Sequence, residues 1–178
     1  MIKFRDLRAD EIDCRVQMVK ESGVSLLLYK DARVDMNILD ETVGNENWQR
    51  DHFECKGNLF CKVGIRIVPD GEDMPPYWVW KADCGTESRT EAQKGEASDS
   101  FKRAGFSWGI GRELYTSPFI WIPKEKCNIK GTACYDRFRV EKIVIEDKQI
   151  IALSIINDSI KSDKISERRC FVWQKAKQ

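Results

Sequence analysis

The sequence predicts an α+β fold, in which an antiparallel β-sheet packs on one long helix and a β-hairpin is added near the C-terminus. Three observations predict it. Short apolar or alternating segments between turn residues indicate strands, one longer segment has apolar residues at helical spacing, and the order of elements is strand, helix, three strands, helix. Strands and helices that follow one another in separate runs are typical of this class.

The first strand and the first helix lie near the N-terminus. Gly23 to Lys30 is an apolar segment bounded by a glycine and an aspartate, which indicates a buried strand. The preceding segment, Ile12 to Val19, either pairs with this strand or forms an arm. Asp31 to Val43 has apolar residues at helical spacing and is followed by Gly44, which is typical of a helix end.

Three strands follow and predict an antiparallel meander. Their ranges are Trp48 to Cys55, Leu59 to Val68 and Tyr77 to Asp83, separated by segments rich in glycine and proline. In the third strand, Trp78 and Trp80 share one face, because successive side chains point to opposite sides of a strand.

The principal helix is predicted over Thr90 to Trp108. Ser88 and Thr90 are suitable N-cap residues, each with Glu91 or Gln93 three positions later. Apolar residues then recur every three or four positions and predict a narrow stripe that packs closely on a sheet. The stripe consists of Ala97, Phe101, Ala104 and Trp108, and glycines at 105, 109 and 111 end the helix.

The C-terminal third predicts a hairpin and a charged tail. Phe138 to Ile145 and Ile151 to Ile155 alternate around Glu146 to Gln149, and a bulge is expected near Glu141 and Lys142. The tail from Lys161 to Gln178 is mostly charged. We therefore expect a core domain over residues 1–123, with residues 124–178 either part of the same domain or a contact between subunits.

Composition limits the classes of function. The 178 residues include 30 basic and 29 acidic ones, so with a net charge of +1 any nucleic-acid site must be a local patch. Seven cysteines without a Cys-x-x-Cys pair, and His52 as the one histidine, favour reduced thiols over disulfides or zinc. We expect no cofactor, no membrane segment and a cytoplasmic location.

The cations of the principal helix are the candidate functional residues. Lys94, Lys102 and Arg103 lie to one side of the apolar stripe, and residues eight apart differ by about 80° of rotation and two turns of height. Cations placed in this way can follow a phosphate backbone. The alternative is an ordinary solvated face, with Glu91, Glu96 and Asp99 as intrahelical partners.

The run from Gly85 to Tyr115, with K-G-E-A-S-D-S-F-K-R-A at its centre, resembles the Rad52 family of single-strand annealing proteins. The resemblance covers Leu26 to Tyr115 and is closest to short phage-encoded recombinases. It implies that residues 1–123 form a single-strand annealing core domain that binds single-stranded DNA and anneals complementary strands in recombination and repair, without ATP or covalent catalysis. The DNA-binding residues that the resemblance implies are Arg33, Lys94, Lys102, Arg103 and Arg89.

The resemblance also implies partners. It predicts a homo-oligomer, either a ring or a helical filament, with a single-strand binding protein as a candidate partner in the cytoplasm of a bacterial host. One position departs from the family pattern, because Phe106 stands where many annealing proteins have a further arginine. Arg112 is the candidate to supply that charge.

Several alternatives stay open on the residues alone. A DNA-end protecting or scaffold protein could share the same fold without annealing strands. A metal-dependent nuclease would use the acidic cluster Asp70, Glu72 and Asp73, for which a solvated turn is the simpler interpretation. Three aromatic residues are candidates for base stacking or for the core: Trp48, Trp108 and Tyr115.

Overall fold

The structure is a computed structural model that describes residues 2–69, 74–85 and 92–176, and for residues 92–94 it describes the backbone alone. Its contacts divide the chain into two compact units. The first, which we call the helical unit, comprises residues 1–5 and 32–111. The second, which we call the six-stranded unit, comprises residues 6–31 and 112–178.

Along the chain, the first two strands belong to the six-stranded unit, the next elements belong to the helical unit, and the remaining elements belong again to the six-stranded unit. In chain order they are β1 (Asp13–Lys20), β2 (Gly23–Tyr29), α1 (Ala32–Val43), β3 (Trp48–Cys55), β4 (Asn58–Ile67), β5 (Tyr77–Cys84), α2 (Ala92–Trp108), β6 (Ile120–Pro123), β7 (Ile129–Lys130), β8 (Ala133–Cys134), β9 (Phe138–Glu146), β10 (Gln149–Asn157), α3 (Ile165–Arg168) and β11 (Arg169–Gln174). Short 3-10 helices are formed by Ala9–Glu11, Arg112–Thr116 and Lys124–Lys126.

The helical unit is a three-stranded antiparallel sheet in the order β3-β4-β5, and α2 packs against β4 and β5. Cross-strand partners share a face of an antiparallel pair, so the register defines which side chains meet α2. On β4 these are the fully buried Cys61, Val63 and Ile65. Phe101 and Ala104 of α2 are also fully buried, which confirms the centre of the predicted apolar stripe.

The six-stranded unit contains the antiparallel sheet β11-β10-β9-β1-β2-β6 and a small ladder, β7-β8. The predicted hairpin is confirmed as β9 and β10. Its register slips where Ser154 pairs with Lys142 and Ile155 pairs with Val140, which leaves Glu141 as the extra residue of a bulge.

The α+β class is confirmed, but the number and membership of the sheets differ from the prediction. The strand predicted at Gly23 to Lys30 is β2, which does not extend the three-stranded sheet and pairs instead with β1 on one edge and β6 on the other. The tail predicted as charged contains β11, in which Trp173 pairs with Leu153 of β10. Trp173 is therefore part of a sheet.

Candidate nucleic-acid interface

The candidate interface is built on α2, which the sheet of the helical unit holds closely. A methyl group added at Gly85, directly after β5, would come within 2.3 Å of the backbone oxygen of Glu96. The Glu96 carboxylate accepts a hydrogen bond from the backbone N–H of Leu59 at 2.9 Å. Because Glu96 binds the start of β4, it is not simply an intrahelical partner for the cations.

Lys102 and Arg103 directly follow the buried Phe101, and both are half-buried. The Nε atom of Arg103 lies 3.4 Å from Oδ1 of Asp83 on β5, and the two side chains are 39% and 32% exposed. The same Asp83 oxygen accepts a hydrogen bond from the backbone N–H of Cys84 at 2.7 Å. A long, partly solvated ion pair contributes little to stability, so Arg103 can exchange this carboxylate for a phosphate.

Arg33 belongs to the same unit, in the first turn of α1, and is exposed. Helix α1 contacts α2, and the contact is close at Gly105, where an added methyl group would come within 2.3 Å of Oδ1 of the fully buried Asp35. Gly105 lies less than one helical turn beyond Lys102. The structure thus places the helical segments that carry Arg33, Lys102 and Arg103 next to one another.

Two further cations border α2 and were missed by the sequence analysis. The exposed Arg50 of β3 places its guanidinium 4.7 Å from the centre of the Phe101 ring. Lys81 of β5 places its ammonium 4.4 Å from the centre of the Trp108 ring and donates a hydrogen bond to the backbone oxygen of Ser107 at 3.0 Å. The alternation of β3 and β5 could have suggested both residues, since Arg50 and Lys81 share the face of Trp48 and Val79.

The structure leaves the roles of the remaining predicted cations untested. Arg112 begins a 3-10 helix in the six-stranded unit. Arg89 lies outside the described residues, as do the predicted caps Ser88 and Thr90, and Lys94 lies on α2 but its side chain is not described. Their roles stay predictions. It also stays a prediction that Arg112 supplies the charge that many annealing proteins have at the position of Phe106.

The aromatic candidates differ in their surroundings. Trp48 stacks on Phe101 with 6.1 Å between ring centres and donates a hydrogen bond to Asp40 at 2.6 Å. Trp108 donates to the backbone oxygen of Val63 at 2.9 Å. These contacts favour the packing interpretation for both tryptophans, whereas Tyr115 is 68% exposed.

Burial raises the pKa of a thiol near the interface and of two thiols in the six-stranded unit. Desolvation raises the pKa of Cys61, on the helix-facing side of β4, to about 11, although the nearby Arg50 lowers it. Burial likewise raises the pKa of Cys14 and of Cys170 to about 12. These thiols are protonated at neutral pH, so they are poor nucleophiles and poor metal ligands.

Other candidate chemistry receives no support within the described residues. His52 faces α2, with Nε2 at 3.2 Å from the backbone oxygen of Ala97, while Cys55 points to the opposite face of β3. The acidic cluster Asp70, Glu72 and Asp73 lies outside the described residues. Across the described ranges, no group of three or more histidine, cysteine or acidic side chains is arranged to hold a metal ion. None of the described helices combines the length and the apolar character that a membrane span requires.

The comparison with protein families gives a match that extends beyond the segment on which the resemblance rests. No curated protein and no solved structure matches the chain. The family described as Rad52/22 family double-strand break repair protein matches residues 5–133, which is well over half of the 178 residues and includes α1, the three-stranded sheet and α2. The chain therefore belongs to the Rad52/22 family.

Proposed function

We propose that the chain binds single-stranded DNA and anneals complementary strands without ATP, in recombination and double-strand break repair. The observation that carries the proposal is the family match through α2, the helix that carries the consecutive, half-buried residues Lys102 and Arg103. We also propose that the protein is a short phage-encoded recombinase that acts in the cytoplasm of a bacterial host.

The charge distribution supports a groove that binds phosphates. A chain with a net charge of +1 cannot bind DNA through its overall field, so its affinity must come from a local group of cations. Arg33, Arg50, Lys102 and Arg103 all lie in the helical unit on elements that contact α2 or on α2 itself. Neutralisation of phosphates by such a group releases counterions and leaves the bases available for pairing. Annealing by this route needs no nucleophile.

A homo-oligomer, either a ring or a helical filament, completes the proposal. Among the residues that the structure describes, β3 and β5 are the two edges of the three-stranded sheet, and unpaired edges favour association. An oligomer would repeat the cations of α2 along one DNA strand. Light scattering during size exclusion tests this point, and a monomer at every concentration, with and without DNA, would contradict it. Binding of a single-strand binding protein is a separate proposal, tested by co-elution.

The direct test is the rate at which two complementary labelled oligonucleotides pair in the absence of ATP. We expect the parent protein to accelerate pairing and the double variant Lys102→Gln, Arg103→Gln to lose most of the acceleration. The matched control is Lys20→Gln, Lys161→Gln, which removes two exposed charges from the six-stranded unit and should behave like the parent. Strand binding without any acceleration would contradict annealing and favour a DNA-end protecting or scaffold role.

A further inference from the structure

The face of the three-stranded sheet opposite α2 carries an unusual set of side chains. The register pairs Phe53 with Phe60, Gly64 with Trp80 and Arg66 with Trp78. Lys62, in the middle strand, lies between these pairs on the same face. We call this surface the aromatic face and define it by Phe53, Phe60, Lys62, Arg66, Trp78 and Trp80.

The aromatic rings of this face are ordered but open. Phe53, Trp78 and Trp80 are 39%, 38% and 40% exposed. Phe53 stacks on Phe60 with 5.4 Å between ring centres, and the centres of Trp78 and Trp80 are 6.1 Å apart. Exposed large aromatic groups that adjoin one another, instead of being scattered singly, mark interaction surfaces.

Gly64 positions one of these rings. A methyl group added at Gly64 would lie 2.8 Å from three atoms of the six-membered ring of Trp80. The indole therefore lies across the glycine, and any larger residue at this position would lift it. The sequence thus provides a flat support for the ring, and Trp80 is still 40% exposed.

Cations are placed among the rings. The Lys62 ammonium lies 5.1 Å from the centre of the Trp80 ring and 6.0 Å from the centre of the Phe53 ring. It also forms an ion pair with Asp51 at 3.2 Å. The exposed Arg66 lies across from Trp78 and reaches Asn47 through a marginal hydrogen bond of 3.4 Å.

We propose that the aromatic face stacks unpaired bases of single-stranded DNA, while Lys62 and Arg66 contact the flanking phosphates. This inference rests on the proposed binding of single-stranded DNA. Bases stack on exposed aromatic side chains irrespective of sequence, and each such contact changes affinity by about five- to 150-fold. The face adds a contact separate from the cations of α2, because the two lie on opposite sides of one sheet.

The chemistry of the face distinguishes a nucleic-acid strand from a second copy of the chain. The buried centres of protein interfaces are depleted of charged residues, and lysine in particular is disfavoured there. Here a lysine occupies the centre of the face, between two aromatic pairs. A ligand that alternates planar bases with phosphates satisfies both the rings and the cations.

The test compares two oligonucleotides of equal length, one of deoxythymidines and one in which the central sugars carry no base. Both retain the same phosphates, so only base stacking differs. We expect the parent protein to bind the deoxythymidine strand at least tenfold more tightly, as measured by fluorescence anisotropy. In the double variant Trp78→Ala, Trp80→Ala this preference should disappear, with unchanged affinity for the base-free strand.

Three further measurements keep the test decisive. The variant Trp78→Phe, Trp80→Phe retains aromatic rings and should keep most of the preference, which separates stacking from loss of fold. Tyr135→Ala removes a tyrosine that is 80% exposed in the six-stranded unit and should change nothing. Circular dichroism and thermal unfolding report whether each variant is folded.

The outcomes separate this inference from the proposed function. Equal affinity of the parent for the two strands, or equal losses for both strands in the alanine variant, would overturn stacking while strand binding stands. A parent that binds neither strand would overturn both proposals. If the alanine variant keeps its preference but dissociates in light scattering, the aromatic face is an interface between copies and the inference is wrong.

Discussion

At the scale of single residues, Asp83 determines how available Arg103 is. Its carboxylate forms the 3.4 Å ion pair with Arg103 and also accepts the backbone N–H of Cys84. The two roles can be separated, because an asparagine oxygen can still accept from Cys84 but carries no charge that competes with a phosphate.

We therefore predict that Asp83→Asn raises the affinity for single-stranded DNA by about two- to fivefold, the range expected for release of a partly exposed ion pair. Fluorescence anisotropy at low salt measures the effect. Asp163→Asn, at an exposed position of the six-stranded unit, is the matched control. A weaker or unchanged affinity in Asp83→Asn would show that Arg103 does not contact the strand.

Glu141 is the second residue with a specific energetic role. As the extra residue of the β9 bulge, it accepts hydrogen bonds from Arg169 at 2.7 Å and from Ser154 at 3.0 Å. The hydrogen bond from Arg169, with a smaller one from Ser154, lowers the pKa of Glu141 from 4.5 to about 2. The bulge thus directs a carboxylate toward β11, the strand next to β10 in the sheet.

The sign of the pH dependence follows from this lowered pKa. The ionised Glu141 carboxylate stabilises the folded chain fully above pH 4.5, where this carboxyl is ionised in both folded and unfolded chains. This stabilisation is lost as the pH falls toward 2. We predict that Glu141→Gln lowers the free energy of unfolding at pH 7 and flattens its decline between pH 5 and pH 2. Urea unfolding across this range measures it, and parallel curves for parent and variant would contradict the prediction.

At the scale of elements, the position of α2 depends on the close approach between the end of β5 and the helix backbone. Gly85 has no room for a side chain, since a methyl group would meet the Glu96 oxygen at 2.3 Å and the Ser100 nitrogen at 2.9 Å. Backbone atoms cannot swing away as the end of a side chain can.

We predict that Gly85→Ala lowers the free energy of unfolding by about 1–3 kcal/mol, the usual cost of forcing extra volume into a packed site. It should also weaken DNA binding, because α2 must shift. Chemical denaturation measures the first effect. Equal stability of the variant and the parent would show that the helix is not held at this distance.

Local patterns predicted the elements that depend on local structure. The bounds of β3 are Trp48–Cys55, as predicted, and α1 and the β9–β10 hairpin are also close to prediction. The missed strands β6 and β11 are short and acquire their partners from distant sequence, since Leu26 pairs with Ile120 and Leu153 with Trp173. Such pairings have no local signal.

The same distinction applies to the candidate site. Lys102 and Arg103 were identifiable from the helical pattern and the resemblance, because both depend on neighbouring residues. The contacts of Arg50 with Phe101 and of Lys81 with Trp108 depend on how α2 lies across the sheet. The shared face of Trp78 and Trp80 was evident from alternation, but its exposure opposite α2 required the three-dimensional register.

The whole molecule is nearly neutral, with a net charge of +1, and we propose that it binds single-stranded DNA, a polyanion, through a few cations. For single strands, the logarithm of affinity falls with the logarithm of salt concentration by about 0.7 for each phosphate that a cation neutralises. The slope of this plot therefore counts phosphate contacts. A variant that changes only base stacking leaves the slope unchanged.

The assignment of the DNA strand to α2 is tested by this salt slope for a short deoxythymidine strand, measured in the parent and in Lys102→Gln, Arg103→Gln. The double variant should bind more weakly, and its slope should be smaller by about 1.4, which corresponds to two lost phosphate contacts. The control Lys20→Gln, Lys161→Gln should keep the parent slope. An unchanged slope and affinity in Lys102→Gln, Arg103→Gln would contradict the assignment of the DNA strand to α2.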